Sequence, residues 1–138
     1  MCIRDSFVIH LGDVVAPATI NFFKGIRMML IRGNCDGDTE MIKKRCVELG
    51  FEYHDTLLEL EMSGKRIAGA HGHDSALLDR LVRSGKYDYV LFGHTHEKTD
   101  RVDGKTRVIN PGAHYYTTKE KTVAILDPAA DSLTFIRV

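Results

Sequence analysis

No charge of one sign predominates in this chain: 19 lysines and arginines stand against 19 aspartates and glutamates. A balanced chain has no bulk field to draw it onto nucleic acid or an anionic membrane. No specific nucleic-acid-binding surface is therefore expected, and an anionic substrate has to be captured locally. Cysteine is equally scarce. Cys2, Cys35 and Cys46 are an odd number with no Cys-x-x-Cys pair, which argues against a disulfide framework and for a reducing compartment, the cytoplasm. No apolar run approaches the roughly 18 residues of a membrane helix, and no charged-then-apolar leader ends in a small-residue cleavage site. Internal repeats, low-complexity tracts and linkers are missing as well. One α/β domain, burying roughly 70% of its unfolded surface, is the economical expectation.

Histidine is what the chain does have. Of seven, four fall in two His-x-His pairs, His71-Gly72-His73 and His94-Thr95-His96. The second pair follows the apolar run Tyr89–Phe92, which reads as a buried strand, and Gly93 lets the backbone turn ahead of the imidazoles. Side chains two apart on an extended backbone point to one side, so both rings can reach one region. Three other apolar runs end the same way. Residues 7–11 stop at Gly12-Asp13, residues 26–31 at Gly33-Asn34-Cys35-Asp36-Gly37, and residues 66–70 at His71-Gly72-His73.

Between these strands the pattern first alternates with helices and then turns to hairpins. Pro17 suits the first turn of a short helix over 16–24. Asp38 and Asp74 cap helices over 39–49 and up to Arg83, closed at Gly50 and Gly85. Residues 57–62 and 66–70 flank a Ser63-Gly64-Lys65 turn, and 99–102 and 106–109 flank an Asp103-Gly104 turn. Strands over 122–126 and 132–138 follow.

Strand ends at Asp13, Asn34, His71 and the His94/His96 pair predict a convergent site at one sheet edge, where α/β folds place ligands. Imidazole nitrogen with carboxylate and amide oxygen is a mixed N/O set without thiolate. It suits a divalent metal, manganese, iron, nickel or zinc rather than calcium. Such an ion polarises a phosphoryl oxygen and acidifies water, and phosphoester hydrolysis is the natural chemistry.

In this order, Gly12-Asp13, Gly33-Asn34-Cys35-Asp36, His71-Gly72-His73 and Gly93-His94-Thr95-His96 resemble the calcineurin-like metallophosphoesterase superfamily. The Gly-Asn-Cys-Asp variant and the short chain are similar to its small bacterial and archaeal phosphodiesterase branch. The resemblance implies an αββα sandwich and hydrolysis of a small phosphodiester by metal-activated water at a two-metal site, with Mn(2+) favoured and Ni(2+), Fe(2+) or Zn(2+) as other candidates. It implies that Asp13 bridges both ions, that Asn34, His71 and His94 complete one site, and that His96 serves the other. Asp13, Asn34, His71 and His94 are then the catalytic set, with Cys35, Asp36 and His73 as outer contacts. Asn110-Pro111-Gly112-Ala113 resembles the family's Asn-Pro-Gly-Ser turn.

The family also begins with a strand ending in Asp-x-His, followed by a helix, and this sequence has neither. Residues 1–6 are accordingly expected to be non-native or disordered, and 7–138 to form the domain. The first ion would keep only Asp13 and His96, so a chain holding about one ion and hydrolysing weakly is expected. His96 should then have too few partners. The alternative is a non-catalytic scaffold resembling the retromer subunit, which an exposed apolar patch would favour. Oligomeric state and membrane contact find no signal. Cys35 either steadies a leaving group or packs as a small side chain; Cys46 is core, His10 structural, and His54 and His114 surface residues.

Overall fold

The computed structural model describes residues 6–138. Residues 1–5, and with them most of the segment expected to be non-native, lie outside the described residues. Three short strands, β1 (Val8–His10), β2 (Met28–Ile31) and β3 (Glu52–His54), pair in parallel in the order β1-β2-β3. A five-stranded sheet holds β4 (Leu58–Met62), β5 (Lys65–Ala70), β6 (Tyr89–Phe92), β7 (Thr99–Asp103) and β8 (Thr106–Asn110), in the order β4-β5-β6-β8-β7. Its inner three strands are parallel and its edge strands antiparallel. β9 (Thr122–Asp127) and β10 (Ser132–Arg137) form a separate hairpin.

Period-two alternation turns the apolar runs into a layered αββα sandwich, because successive strand side chains point to opposite faces. In β2, Met28 and Leu30 face Ile42 and Cys46 of helix α1 (Thr39–Glu48), whereas Met29 and Ile31 face Leu58 of the other sheet. In β6, Tyr89 and Leu91 join Ile67 and Ile109 between the sheets, whereas Val90 and Phe92 meet Leu81 and Val82 of helix α2 (Ser75–Arg83). The hairpin lays Leu126 and Leu133 against the layer between the sheets. Cys46 is wholly buried, and burial pushes its thiol up to about 11.

Both helices start where the capping aspartates place them. Asp38 accepts from the Met41 amide at 2.9 Å and Asp74 from the Leu77 amide at 3.0 Å. Some boundaries differ from the sequence expectation. Pro17–Phe23 is a 3₁₀ helix, with no side-chain cap at Ala16 and no acidic residue in its first turn to favour an α-helical start. No sequence pattern predicts β3. Its Glu-Tyr-His sequence has no apolar run, and only pairing with β2 makes it a strand. His54, at its end, is half-buried rather than superficial, and among the described residues its Nε2 has no hydrogen-bond partner, Glu52 Oε2 standing 3.6 Å away.

Candidate metal centre

Each chemical side chain stands just past the carboxyl end of a parallel strand: Asp13 after β1, Asn34 after β2, His71 after β5, His94 and His96 after β6. Three of these turn on left-handed backbone, at φ 61° for Asp13, 63° for His94 and 60° for His96. L-residues visit that region at a cost, which the surrounding bonds have to offset.

His71 is buried, 3% exposed, and its orientation determines the site's electrostatics. Its Nδ1 lies 2.6 Å from the Leu11 carbonyl oxygen, which can only accept, so Nδ1 is the donor. Nε2 then faces Asn34 Oδ1 at 2.8 Å and Asp13 Oδ2 at 3.3 Å. His94 Nδ1 stands 3.1 Å from the same Asn34 oxygen. Asn34 Nδ2 donates to Cys35 Sγ at 3.6 Å, which directs the amide oxygen inward. Acceptor atoms from Asp13, Asn34 and His71 thus converge, with His94 Nδ1 beside them, and a metal ion would satisfy their facing lone pairs.

The spacing fits an ion. Neighbouring ligands at bond lengths of about 2.1 Å and right-angled geometry are about 3 Å apart, and the contacts here run from 2.8 to 3.3 Å. One ligand atom each from Asp13, His71 and His94 lies within 4.8 Å of the others. An imidazole whose second nitrogen donates to a backbone carbonyl is the usual arrangement of a metal-binding histidine.

The neighbouring bonds hold the two ligand loops together. Asp13 Oδ1 accepts from the Cys35 amide at 2.9 Å, leaving Oδ2 toward His71. Asp36 ties both loops with one carboxylate, accepting from Val15 at 2.8 Å and Gly33 at 2.7 Å. Glycine is needed at the contact itself: a Cβ on Gly33 would overlap Asp13 Oδ1 and its backbone nitrogen, and one on Gly12 would come within 2.6 Å of His71 Nδ1. His10 accepts from the Gly12 amide at 3.3 Å, and burial lowers its pKa, keeping that ring an acceptor.

The other expected residues lie around this point at different distances. His73 is exposed, its ring centroid 5.4 Å from that of His71 and 6.2 Å from that of His94. His96 stands outside the Asp13–His71–His94 group and sets its ring 5.1 Å from that of Tyr115. Cys35 is exposed. A cleft of about 360 Å³, lined by Arg32, Asn34, Thr56, His71, His73 and Asp74, adjoins the acceptor cluster.

The sequence suggests no role for Asn110 beyond its turn, yet it is wholly buried and holds the His94 loop. Its Nδ2 donates to Gly93 O and Thr95 Oγ1, both at 3.0 Å, and its Oδ1 accepts from the Gly112 amide at 2.9 Å. The Asn-Pro-Gly turn was the available signal. The paired tyrosines that follow it carried none.

A family model described as the calcineurin-like phosphoesterase superfamily domain matches residues 3–131. Phosphodiesterase MJ0936 of Methanocaldococcus jannaschii is 34% identical over an alignment of 124 residues, with 87% of this chain and 75% of that protein covered. The solved structure of an archaeal phosphodiesterase superposes with a TM-score of 0.89 at 30% identity, over 96% of this chain and 83% of the other. Vps29 from Chaetomium thermophilum shares the fold at a TM-score of 0.67 and 13% identity, over 96% and 80%.

Proposed function

The chain belongs to the calcineurin-like phosphoesterase superfamily, and on that premise we propose that it hydrolyses small phosphodiesters with a divalent metal, Mn(2+) being favoured over Ni(2+), Fe(2+) or Zn(2+). The observation that carries this reading is the convergence of His71 Nε2, Asn34 Oδ1 and Asp13 Oδ2 without a donor between them. Asp13, Asn34, His71 and His94 would hold the ion; Asp13 and His96 are what residues 7–138, read as one domain, offer a second. A bound ion of this kind supplies Lewis acidity, polarising the phosphoryl oxygen and acidifying water.

The chain's own groups do the rest. Leu11 holds the His71 ring in one tautomer. Arg32, only loosely paired with Asp55 at 3.9 Å, lines the cleft and offers a fork of donors to phosphoryl oxygens. His73 borders the same cleft and would meet the ester group there. Cys35 and Asp36 act through Asp13 and the backbone.

Release of nitrophenol from bis(p-nitrophenyl) phosphate tests the proposal, measured on this chain and on a version carrying an Asp-x-His strand end ahead of β1. Turnover stimulated by Mn(2+), abolished by a chelator and lowered at least tenfold in His71→Ala is expected. No turnover of either protein with any of the four metals would sink it.

One observation favours a second reading, the non-catalytic scaffold. The outer face of the β9–β10 hairpin exposes Val123, Ile125 and Ile136, an apolar surface of the kind partners cover. The acceptor cluster weighs the other way, since a scaffold gains nothing from facing lone pairs.

A further inference from the structure

The segment between β8 and β9 carries two adjacent tyrosines that no core cluster absorbs. Tyr115 is 42% exposed and Tyr116 81%. Their ring centroids are 4.6 Å apart at 50°, and Tyr115 lies 5.1 Å from His96 at 47°. Large aromatic rings ordinarily bury most of their surface, and a ring left this open beside a polar site is available to something flat.

Both ends of the segment are held against the loop that bears His94 and His96. Asn110 bonds to Gly93 and Thr95, Thr122 donates to the Pro111 carbonyl at 2.8 Å, and Lys98 pairs with Glu120 at 3.0 Å. The tyrosines are therefore displayed from a fixed base. Through His96 they adjoin the loop whose His94 Nδ1 stands 3.1 Å from Asn34 Oδ1. His96, Tyr115 and Tyr116 form a continuous aromatic edge on the loop that bears His94, while the Arg32 and His73 cleft opens beside Asn34 and His71.

We propose that Tyr115 and Tyr116 are a stacking platform that binds the base of a nucleoside ester, which makes a nucleoside phosphodiester the preferred substrate class. This rests on the phosphodiesterase reading and deepens it. Stacking of a base on an aromatic side chain tolerates any base, because each has a π-face, and it separates a nucleoside from an aliphatic ester of equal charge. A preference of about tenfold is the expected size. Phenylalanine at both positions keeps the platform, since the faces and not the hydroxyls do the binding.

Two substrates with one leaving group test it: the p-nitrophenyl ester of thymidine 5′-monophosphate and ethyl p-nitrophenyl phosphate, each with Mn(2+). The platform requires a kcat/KM ratio favouring the nucleoside by about tenfold, carried by KM. That ratio should collapse toward one in the Tyr115→Ala/Tyr116→Ala double variant and be kept in the Tyr115→Phe/Tyr116→Phe variant. Equilibrium dialysis of adenosine 5′-monophosphate against ribose 5-phosphate reads the same preference without turnover. Hydrolysis of both esters with no base preference, or a preference untouched by the alanines, overturns the platform alone. Tyrosine-dependent binding of the nucleotide with no hydrolysis of either ester overturns the phosphodiesterase reading and leaves the platform standing.

Discussion

Asn34 Oδ1 lies 2.8 Å from His71 Nε2, and neither atom brings a proton to the contact once Leu11 has taken the one on His71 Nδ1. Two lone pairs this close repel unless a cation joins them. Calorimetric titration of this 138-residue chain with Mn(2+) is expected to give about one ion per chain. Asn34→Ala should weaken it by more than the 10–100-fold typical of losing an outer contact. Two tightly held ions, or an unchanged affinity in the variant, would contradict this assignment.

Gly33→Ala probes how closely the two ligand loops approach. The added Cβ collides with the Asp13 carboxylate and backbone together, and backbone cannot swing aside as a flexible side-chain tip can. A cost of about 1–3 kcal/mol in urea unfolding is expected, with loss of most metal affinity. A variant that folds and binds normally would show that the loops are more pliant than their bonds to Asp36 imply.

Val15 is a β-branched residue at φ 67°, where its Cβ crowds the backbone, and its side chain is mostly exposed. Its amide and carbonyl, bonded to Asp36 and Gly37, hold it there. Val15→Asn keeps both bonds and suits the left-handed region better. A gain of about 1 kcal/mol, or several degrees in Tm, is expected; a fall in Tm would mean that the valine makes contacts worth more than its strain.

Tyr89 sits between the sheets with its hydroxyl donating to Asp131. Burial first, then that bond and the Asp131 charge, push it up to about 12. A folded-state pKa above the unfolded value near 10 means the folded state keeps its proton longer. The associated stability is fully present below pH 10 and is lost as pH rises through about 12. Tyr89→Phe should therefore lose less stability than the parent chain between pH 8 and pH 11 in parallel urea titrations. It starts lower by about 1 kcal/mol for the missing bond. Parallel curves for the two proteins would refute the burial account.

Much of the fold was legible because local pattern and global packing agree. The runs that became β1, β2, β5 and β6 were readable from predominantly apolar sequence, and Asp38 and Asp74 marked the helix starts, since a cap needs only the next three residues. What escaped lacked a local signal. β3 has no apolar run, and the 3₁₀ helix differs from an α-helix by terminal bonding that one proline does not determine. The sequence also placed His54 on the surface, whereas its position at the end of β3, paired with Ile31 of β2, half-buries it.

Glycine and ligand types at four strand ends were enough to nominate Asp13, Asn34, His71, His94 and His96, because strand periodicity and chain direction put such ends on one side of a parallel sheet. Which of them meet was decided in three dimensions. His71 and Asn34 are 37 positions apart and His94 and Asn34 are 60 apart; His96 turned instead to Tyr115. The bridging of two loops by Asp36, the anchoring by Asn110 and the aromatic edge at Tyr115 depend on neighbouring strands within one sheet, whereas the contacts of His71 with Leu11 and Asn34 and of His94 with Asn34 depend on strands from two sheets arriving side by side. No local pattern encodes that meeting. Residue type fixes which atoms can share a cation, but only the packing of the two sheets brings them within bonding distance of one point.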